Sequence, residues 1–432
     1  MGSFTLVRME CEKMRTVLHQ SGKLIFHKRV QQGITQEELC QGICSVSYLS
    51  KIENDKIEAS ELIMQLLCER LGISLSSLQN TTGEATKLLE QLHTALVYTN
   101  QEKATELYKQ LQPVILQVQD AEVLNFYQLL SVRYFLLMGR MDEAICLLEE
   151  CKKLSSKYSP FHNVIFHYVN GLMFCKKGEW EKGAGYFVTC EQQARAIKYS
   201  EPSIYYNLAL VYSMIHNVSM SLYFVEQAIH LYSKASKFRY IIDCQMIQGI
   251  NYVRLKEYDK AIEIYENILQ AAPSFSDKEE IFTRTLHNLG CLYARQGEHK
   301  KATELYLDSL QYKAADTHIY VVTIYELIKS YVELKCYSDA EVWIEKGLLM
   351  SKDNAFEKRN YYLLLIMKYK YFHSGEAYKF FLEKEAIPFF KQLKDTKELK
   401  KIYIELAEYS EFNLEYKESS RYYKLAIAIV DV

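Results

Sequence analysis

The stretch Leu286–Leu310, LHNLGCLYARQGEHKKATELYLDSL, decides how the rest of the chain is read. Its apolar residues recur at three- and four-residue steps, the period of a helix with one buried face. Gly297 interrupts the pattern, so the stretch holds two helices and a tight turn. Small residues stand where two such helices cross, Gly290 on the first and Ala302 on the second, with Tyr293 and Tyr306 beside them. A minimal side chain lets two helix axes approach, and a tyrosine fills the wedge towards the next pair. The stretch Gln245–Pro273, QMIQGINYVRLKEYDKAIEIYENILQAAP, repeats the order with Gly249, Tyr252, Ala261, Tyr265 and Pro273. Outward in both directions, a small residue after a turn recurs at Ala104, Ala144, Gly183, Ser221, Ala261, Ala302, Ala340, Ala377 and Ser419. The spacings are 40, 39, 38, 40, 41, 38, 37 and 42 residues. Nine units at this period mean a solenoid of stacked helix pairs, not a set of compact domains. The unit around Ala377 fits least well, and Pro388 interrupts the stretch after it.

These units resemble tetratricopeptide repeats, which implies a right-handed superhelix of about nine helix pairs over residues 84–432. In that architecture the first helix of each pair lines a concave inner face. The inner positions are then Arg133, Tyr168, Tyr206, Asn207, Arg284, His287, Asn288, Arg295, Tyr325 and Glu326. Asn207 and Asn288 occupy equivalent places in two repeats. An amide donates and accepts at once, so it suits the backbone of an extended peptide. Arg284 and Arg295 suit a carboxylate held by two parallel hydrogen bonds. The remaining tyrosines and leucines read mostly as core.

Ahead of the repeats lies Gly33–Asn54, GITQEELCQGICSVSYLSKIEN. Thr35 precedes Gln36–Gln41 with Glu38 three residues on, the spacing of a capping box. A turn at Gly42–Cys44 leads to Ser45, which caps Val46–Glu53, and Ser60 caps Glu61–Leu71. Two short helices across a tight turn make a helix-turn-helix. The second enters the DNA groove by its N-terminal end, where small polar residues reach base edges and phosphates. The string resembles the Cro/cI (XRE) helix-turn-helix family. That resemblance gives Gln36 a phosphate contact and Leu39 and Leu49 packing roles. It makes Val46, Ser47 and Lys51 base-facing, with Ser45 and Tyr48 beside them, and Asn54 a second phosphate contact. It also pairs Arg29 with Glu53 as a structural ion pair. Gly42 at the turn and the apolar Val46 depart from the usual pattern, which leaves the fold intact and the base preference open. The expected domains are an N-terminal extension over residues 1–23, an XRE-type DNA-binding domain over 24–80 and the repeat domain over 84–432.

Bulk composition agrees with an all-α chain. Of 432 residues only 5 are proline and 16 glycine, so helix breakers are few. Formal net charge is −2, and residues 1–80 carry nine Lys/Arg against nine Asp/Glu, so DNA contact must come from a local patch. The 11 cysteines include no CxxC pair and read as small core residues of a reducing compartment. No apolar leader and no run of eighteen apolar residues occurs, so the expected location is cytoplasmic with no membrane partner. Nucleotide-loop, zinc-protease and nucleophile-elbow motifs are missing. The reading is therefore not an enzyme, with no catalytic residue, metal or cofactor.

An XRE helix-turn-helix followed by a tetratricopeptide array resembles the RRNPP family, the peptide-pheromone regulators of Gram-positive bacteria. Nine repeats suit its longer, neutral-protease-regulator branch. The resemblance implies a short, re-imported signalling oligopeptide in the groove that controls oligomerisation and DNA binding. Partners are then double-stranded DNA, the peptide and a second copy in a homodimer or higher homo-oligomer. Two alternatives share the architecture. One is a Rap-like protein that binds and inhibits or dephosphorylates a sporulation response regulator. The other is a phage-encoded peptide receptor controlling lysogeny.

Overall fold

The computed structural model describes residues 21–429, apart from 55, 58, 73–77, 117, 119, 313–316, 353, 355–356 and 374. Most of the expected N-terminal extension lies outside the described residues. Every regular element among those described is a helix. The chain divides into two compact units, Met1–Leu255 and Lys256–Val432.

Among the described residues the first unit begins with four short helices, Ser21–Gln31, Gln36–Cys40, Val46–Glu53 and Glu61–Arg70. Local chemistry sets their starts. Thr35 and Glu38 form the reciprocal capping box, with Thr35 N donating to Glu38 Oε2 at 2.7 Å and Glu38 N to Thr35 Oγ1 at 3.2 Å. Ser45 Oγ accepts from Tyr48 N at 3.2 Å. Ser60 stands at the start of Glu61–Arg70 in extended backbone, but its side chain makes no capping hydrogen bond. Ile25, Leu39, Leu49, Ile52 and Leu67 are buried in a core belonging to these helices alone. Arg29 closes it from the side, donating to Glu53 at 2.6 and 3.0 Å and to the Ile34 carbonyl at 2.9 Å.

The helix Leu78–Val97 runs unbroken through residues 81–83, where a boundary between domains was expected. It pairs with Gln101–Ile115. Ala121–Leu137 then pairs with Met141–Leu154, Pro160–Lys176 with Trp180–Ala196, and Pro202–Met214 with Val218–Lys234, and Phe238–Arg254 ends the unit. One continuous core threads these helices from Ala85 to Ile247. The second unit begins with Tyr258–Ala271. Lys278–Arg295 pairs with His299–Gln311, Thr317–Glu333 with Tyr337–Ser351, and Thr396–Phe412 with Tyr416–Ala428.

Crossing points are as tight as the small residues imply. A Cβ built on Gly171 would come within 2.8 Å of the Phe187 ring, and one on Gly290 within 2.5 Å of the Tyr306 ring. The turns inside pairs need one left-handed residue each. Gly139 and Gly297 supply it, but Thr99, His216, Lys335 and Leu414 also adopt it, at φ between 44° and 61°. Each costs about 1–2 kcal/mol that a glycine would not. Few glycines therefore do not mean few turns.

Around Ala377 the helix Glu376–Phe381 passes through a π turn, Leu382–Ala386, into Ile387–Leu393. Pro388 has no N–H to offer the carbonyl one turn back, and a widened turn absorbs that break without ending the helix.

Candidate functional site

The helix Val46–Glu53 presents Ser45, Val46, Ser47 and Lys51 as exposed residues, with Tyr48 half-buried, while Leu49, Ile52 and Glu53 face inward. The outward residues are those the sequence assigned to DNA. Gln36 is half-buried and donates from Nε2 to Glu53 Oε2 at 2.5 Å, so it extends the Arg29–Glu53 pair as well as bordering the surface. Asn54 is exposed. Its amide donates to the Ser50 carbonyl at 2.6 Å, and its oxygen accepts from Lys157. Lys157 also lies over the Phe26 ring, 4.9 Å from its centre, so a lysine of the repeats grips the DNA-binding helices at an expected phosphate position.

In the first unit a cavity of about 380 Å³ brings together Arg133, Tyr168, Tyr206 and Asn207. Leu96, Leu136, Leu137 and Leu172 make its apolar wall, and Lys176 and Asp243 stand on its polar side. Arg133 was expected on an open groove, yet it is 3% exposed. It donates from Nη2 to Glu201 Oε1 at 2.8 Å, to Tyr168 Oη at 3.2 Å and to Ser203 Oγ at 3.2 Å, and it stacks 4.2 Å from the Tyr168 ring centre. Its other terminal nitrogen, Nη1, is buried without a hydrogen-bond partner. The Asn207 amide donates to Tyr168 Oη at 3.0 Å and to the Ser203 carbonyl at 2.8 Å. Both amide hydrogens are thereby engaged, so Asn207 offers a ligand only its carbonyl oxygen, not the two-way pairing the sequence suggested.

Behind this wall sit Glu201 and His93. Burial pushes the Glu201 carboxyl up, but Arg133, His93 and the hydrogen bonds around it overcome that and hold it at about 2. Burial drives His93 down to about 4 against the pull of Glu201, with Arg133 adding to the fall. Near neutral pH the group is therefore a charged Arg133–Glu201 pair beside a neutral imidazole, whose Nε2 meets Tyr199 Oη at 2.9 Å.

In the second unit a cavity of about 390 Å³ is lined by Arg295 and Glu326, with Cys291, His299, Lys329 and Tyr371. The other expected residues lie off its lining. Arg284 pairs loosely with Glu280 at 3.4 Å. Asn288 is half-buried and has partners within the protein. Tyr325 packs into the core, and burial raises its hydroxyl. His287 is buried with both ring nitrogens engaged, Nδ1 by Thr323 Oγ1 at 3.0 Å and Nε2 by the Cys291 sulfur at 3.5 Å.

Sequence reasoning missed Lys176, Glu201, Ser203 and Asp243. Glu201 carried a faint signal, an acid directly before the Pro202 that opens a helix. Cys291 carried a plainer one, standing four residues after His287 and so on the same helix face.

Among the described residues no helix is long and apolar enough to cross a membrane. The helix-turn-helix family matches residues 25–78, and the tetratricopeptide repeat family matches residues 245–314. The transcriptional activator NprA of Geobacillus stearothermophilus is 30% identical over 399 residues, covering 90% of this chain and 98% of that relative. The apo form of the quorum sensor NprR from B. thuringiensis superposes with a TM-score of 0.71 at 35% identity, over 80% of this chain and 99% of that one. NprR in complex with its cognate peptide NprX gives 0.64 at 33% identity, over 80% and 98%. An XRE-type helix-turn-helix, a tetratricopeptide array and near full-length similarity to a transcriptional activator agree, and the chain belongs to the RRNPP family of quorum-sensing regulators, on the branch of NprA and NprR.

Proposed function

We propose that this protein is a cytoplasmic transcription regulator whose DNA binding is set by a short signalling peptide held in its repeat domain. The division of labour is a DNA-binding domain over residues 24–80 and a peptide-binding domain over 84–432. The observation that carries the reading is the first-unit cavity. Four side chains chosen from sequence for a peptide converge there, and Arg133 Nη1 is left without a protein partner. Arg133 and Lys176 put positive charge at the cavity, and Asn207 keeps its carbonyl oxygen as an acceptor, which favours an occupant with a carboxylate and N–H groups. A peptide of roughly five to ten residues, extended at about 3.3 Å each, presents backbone N–H groups to Asn207 Oδ1 and a carboxylate to Arg133 and Lys176.

Val46, Ser47 and Lys51 read bases with Ser45 and Tyr48 beside them, and Gln36 and Asn54 hold phosphates. So few contacts bind usefully only when two copies read two half-sites, which makes a homodimer or higher oligomer the acting form. The peptide acts by binding one arrangement of the copies better than another. No catalytic step is assigned.

Native mass spectrometry of the freshly purified chain should reveal a co-purified oligopeptide and the oligomeric state. Calorimetry with that peptide should then lose about 5- to 150-fold in affinity, on the order of 1–3 kcal/mol, in folded Asn207→Ala and Lys176→Ala variants. Unchanged binding in both sinks the cavity assignment. Tight binding of a phosphorylated response regulator in place of peptide and DNA would favour the Rap-like reading instead.

A further inference from the structure

We propose that Cys291 and His287 form a reactive thiol–imidazole pair that takes hydroperoxides and soft electrophiles at the cavity of the second unit. The two residues stand one helical turn apart on Lys278–Arg295, and the sulfur lies 3.5 Å from His287 Nε2. Which ring nitrogen carries the proton is set from the other side of the ring. Thr323 Oγ1 gives its only hydrogen to the Ile319 carbonyl at 2.7 Å, so towards His287 Nδ1, at 3.0 Å, it must accept. Nδ1 is therefore the protonated nitrogen, and the Nε2 lone pair faces the thiol as a base. The Tyr306 hydroxyl, buried beside the sulfur, also favours the thiolate.

The electrostatics agree with this geometry. Burial raises the Cys291 thiol, but the His287 charge and hydrogen bond bring it below its ordinary value. Burial lowers His287, and Cys291 and Glu326 bring it above its ordinary value. Among the described residues, burial alone lifts the buried Cys68 to about 11 and the half-buried Cys175 to about 12. Access is also present, since Cys291 is partly exposed and lines a cavity of about 390 Å³. Buried structural cysteines are inert, whereas a paired thiolate on an open cavity is a nucleophile.

The chemistry balances without a group from elsewhere in the protein. The thiolate attacks one oxygen of a hydroperoxide, an S–O bond forms and the O–O bond breaks. The leaving oxygen takes the proton from His287 Nε2. Sulfur is oxidised by two electrons to the sulfenic acid, and the peroxide is reduced to water or an alcohol. With an alkylating agent an S–C bond forms and the leaving group departs as its anion.

The test uses the full reduced chain, iodoacetamide and mass-spectrometric mapping of each cysteine. At about pH 6.5 Cys291 should alkylate at least about tenfold faster than Cys146, although Cys146 is exposed and Cys291 half-buried. Between about pH 6 and 8 the Cys291 rate should rise less steeply than that of an ordinary thiol, which climbs about tenfold per unit. The titratable or charged groups facing the pair are Arg295 on its own helix, His299 and Tyr306 on the next, Glu326 and Lys329 on Thr317–Glu333, and Tyr371. His287→Gln should restore the ordinary pH dependence and remove the advantage at about pH 6.5, and Thr323→Val should weaken it. The unmodified chain decides the matter even if a variant fails to fold. A Cys291 that alkylates no faster than Cys146, or whose rate climbs tenfold per pH unit, overturns the proposal.

Discussion

Each unit has a buried histidine close to its cavity, and the two are shifted in opposite directions, His93 down and His287 up. In the first unit Arg133 already neutralises Glu201, so His93 gains little from the carboxylate and burial keeps it neutral. In the second, burial also disfavours the charged imidazole, but the Cys291 thiol and Glu326 outweigh it and raise His287 above its ordinary value. Burial is similar in both places. The neighbour decides: a carboxylate whose charge is already met leaves imidazole as a spectator, and an unmet acidic thiol turns it into a base.

The largest test of that contrast removes the neutralising cation. Arg133→Met should destabilise the chain by about 3–5 kcal/mol, because Glu201 is left charged and buried without its partner. It should also raise His93 towards protonation, which NMR of the imidazole would report. An unchanged urea midpoint would break the comparison at its first term. The Arg29–Glu53 pair gives a parallel case in the DNA-binding helices. Arg29→Ala leaves the buried Glu53 unmatched and should cost about 3 kcal/mol in chemical unfolding, with Gln36 too weak a partner to replace it. Full stability would mean the helix-turn-helix register is wrong.

Acid should separate the two units. An unfolded His93 takes a proton below about pH 6.5, and the folded one only below about 4. The unfolded state binds more protons across that window, so stability falls as pH drops through it, by roughly 3 kcal/mol at most. Glu201 adds a loss below about 4.5, where the unfolded carboxyl protonates and the folded one, at about 2, does not. His287 has the opposite sign. Its raised value contributes stability fully present below about 6.5 and lost as pH rises through its folded value. Hydrogen exchange, corrected for intrinsic rates, should therefore weaken at Leu78–Val97 on going from about pH 7 to 4. Any weakening at Lys278–Arg295 should be smaller. Equal losses would contradict the assignment, and His93→Gln should flatten the first.

Two glycine variants sharpen the contrast at the smallest scale. Gly171→Ala and Gly290→Ala each push a methyl into an aromatic ring and should cost about 1–3 kcal/mol. Only the second displaces Tyr306, so only the second should also change the alkylation rate of Cys291.

What the sequence revealed depended on range. Thr35, Glu38 and Ser45 act within one turn of chain, so their roles could be read directly. Ser60 had the same pattern, yet its side chain makes no cap, because a serine before a helix permits that bond without enforcing it. The repeat period was readable because small residues must recur wherever helices cross. Arg133, Tyr168, Tyr206 and Asn207 were placed on one inner face by the helical period together with the resemblance to tetratricopeptide repeats. Their state was not readable, since Glu201 lies 68 residues from Arg133 and no local pattern joins them. His287 and Cys291 were within local reach, but a cysteine at helical spacing looks the same whether it fills a core or lines a cavity.

Peptide-governed DNA reading is tested most directly by recovery of fragmented genomic DNA on the purified full chain, with and without its co-purified peptide, followed by sequencing. The expected result is a small set of enriched fragments carrying two related half-sites, a change in their recovery when the peptide is removed, and loss of selectivity in Ser47→Ala and Lys51→Ala. Absence of enrichment under either condition, from a folded protein that still binds peptide, would contradict it.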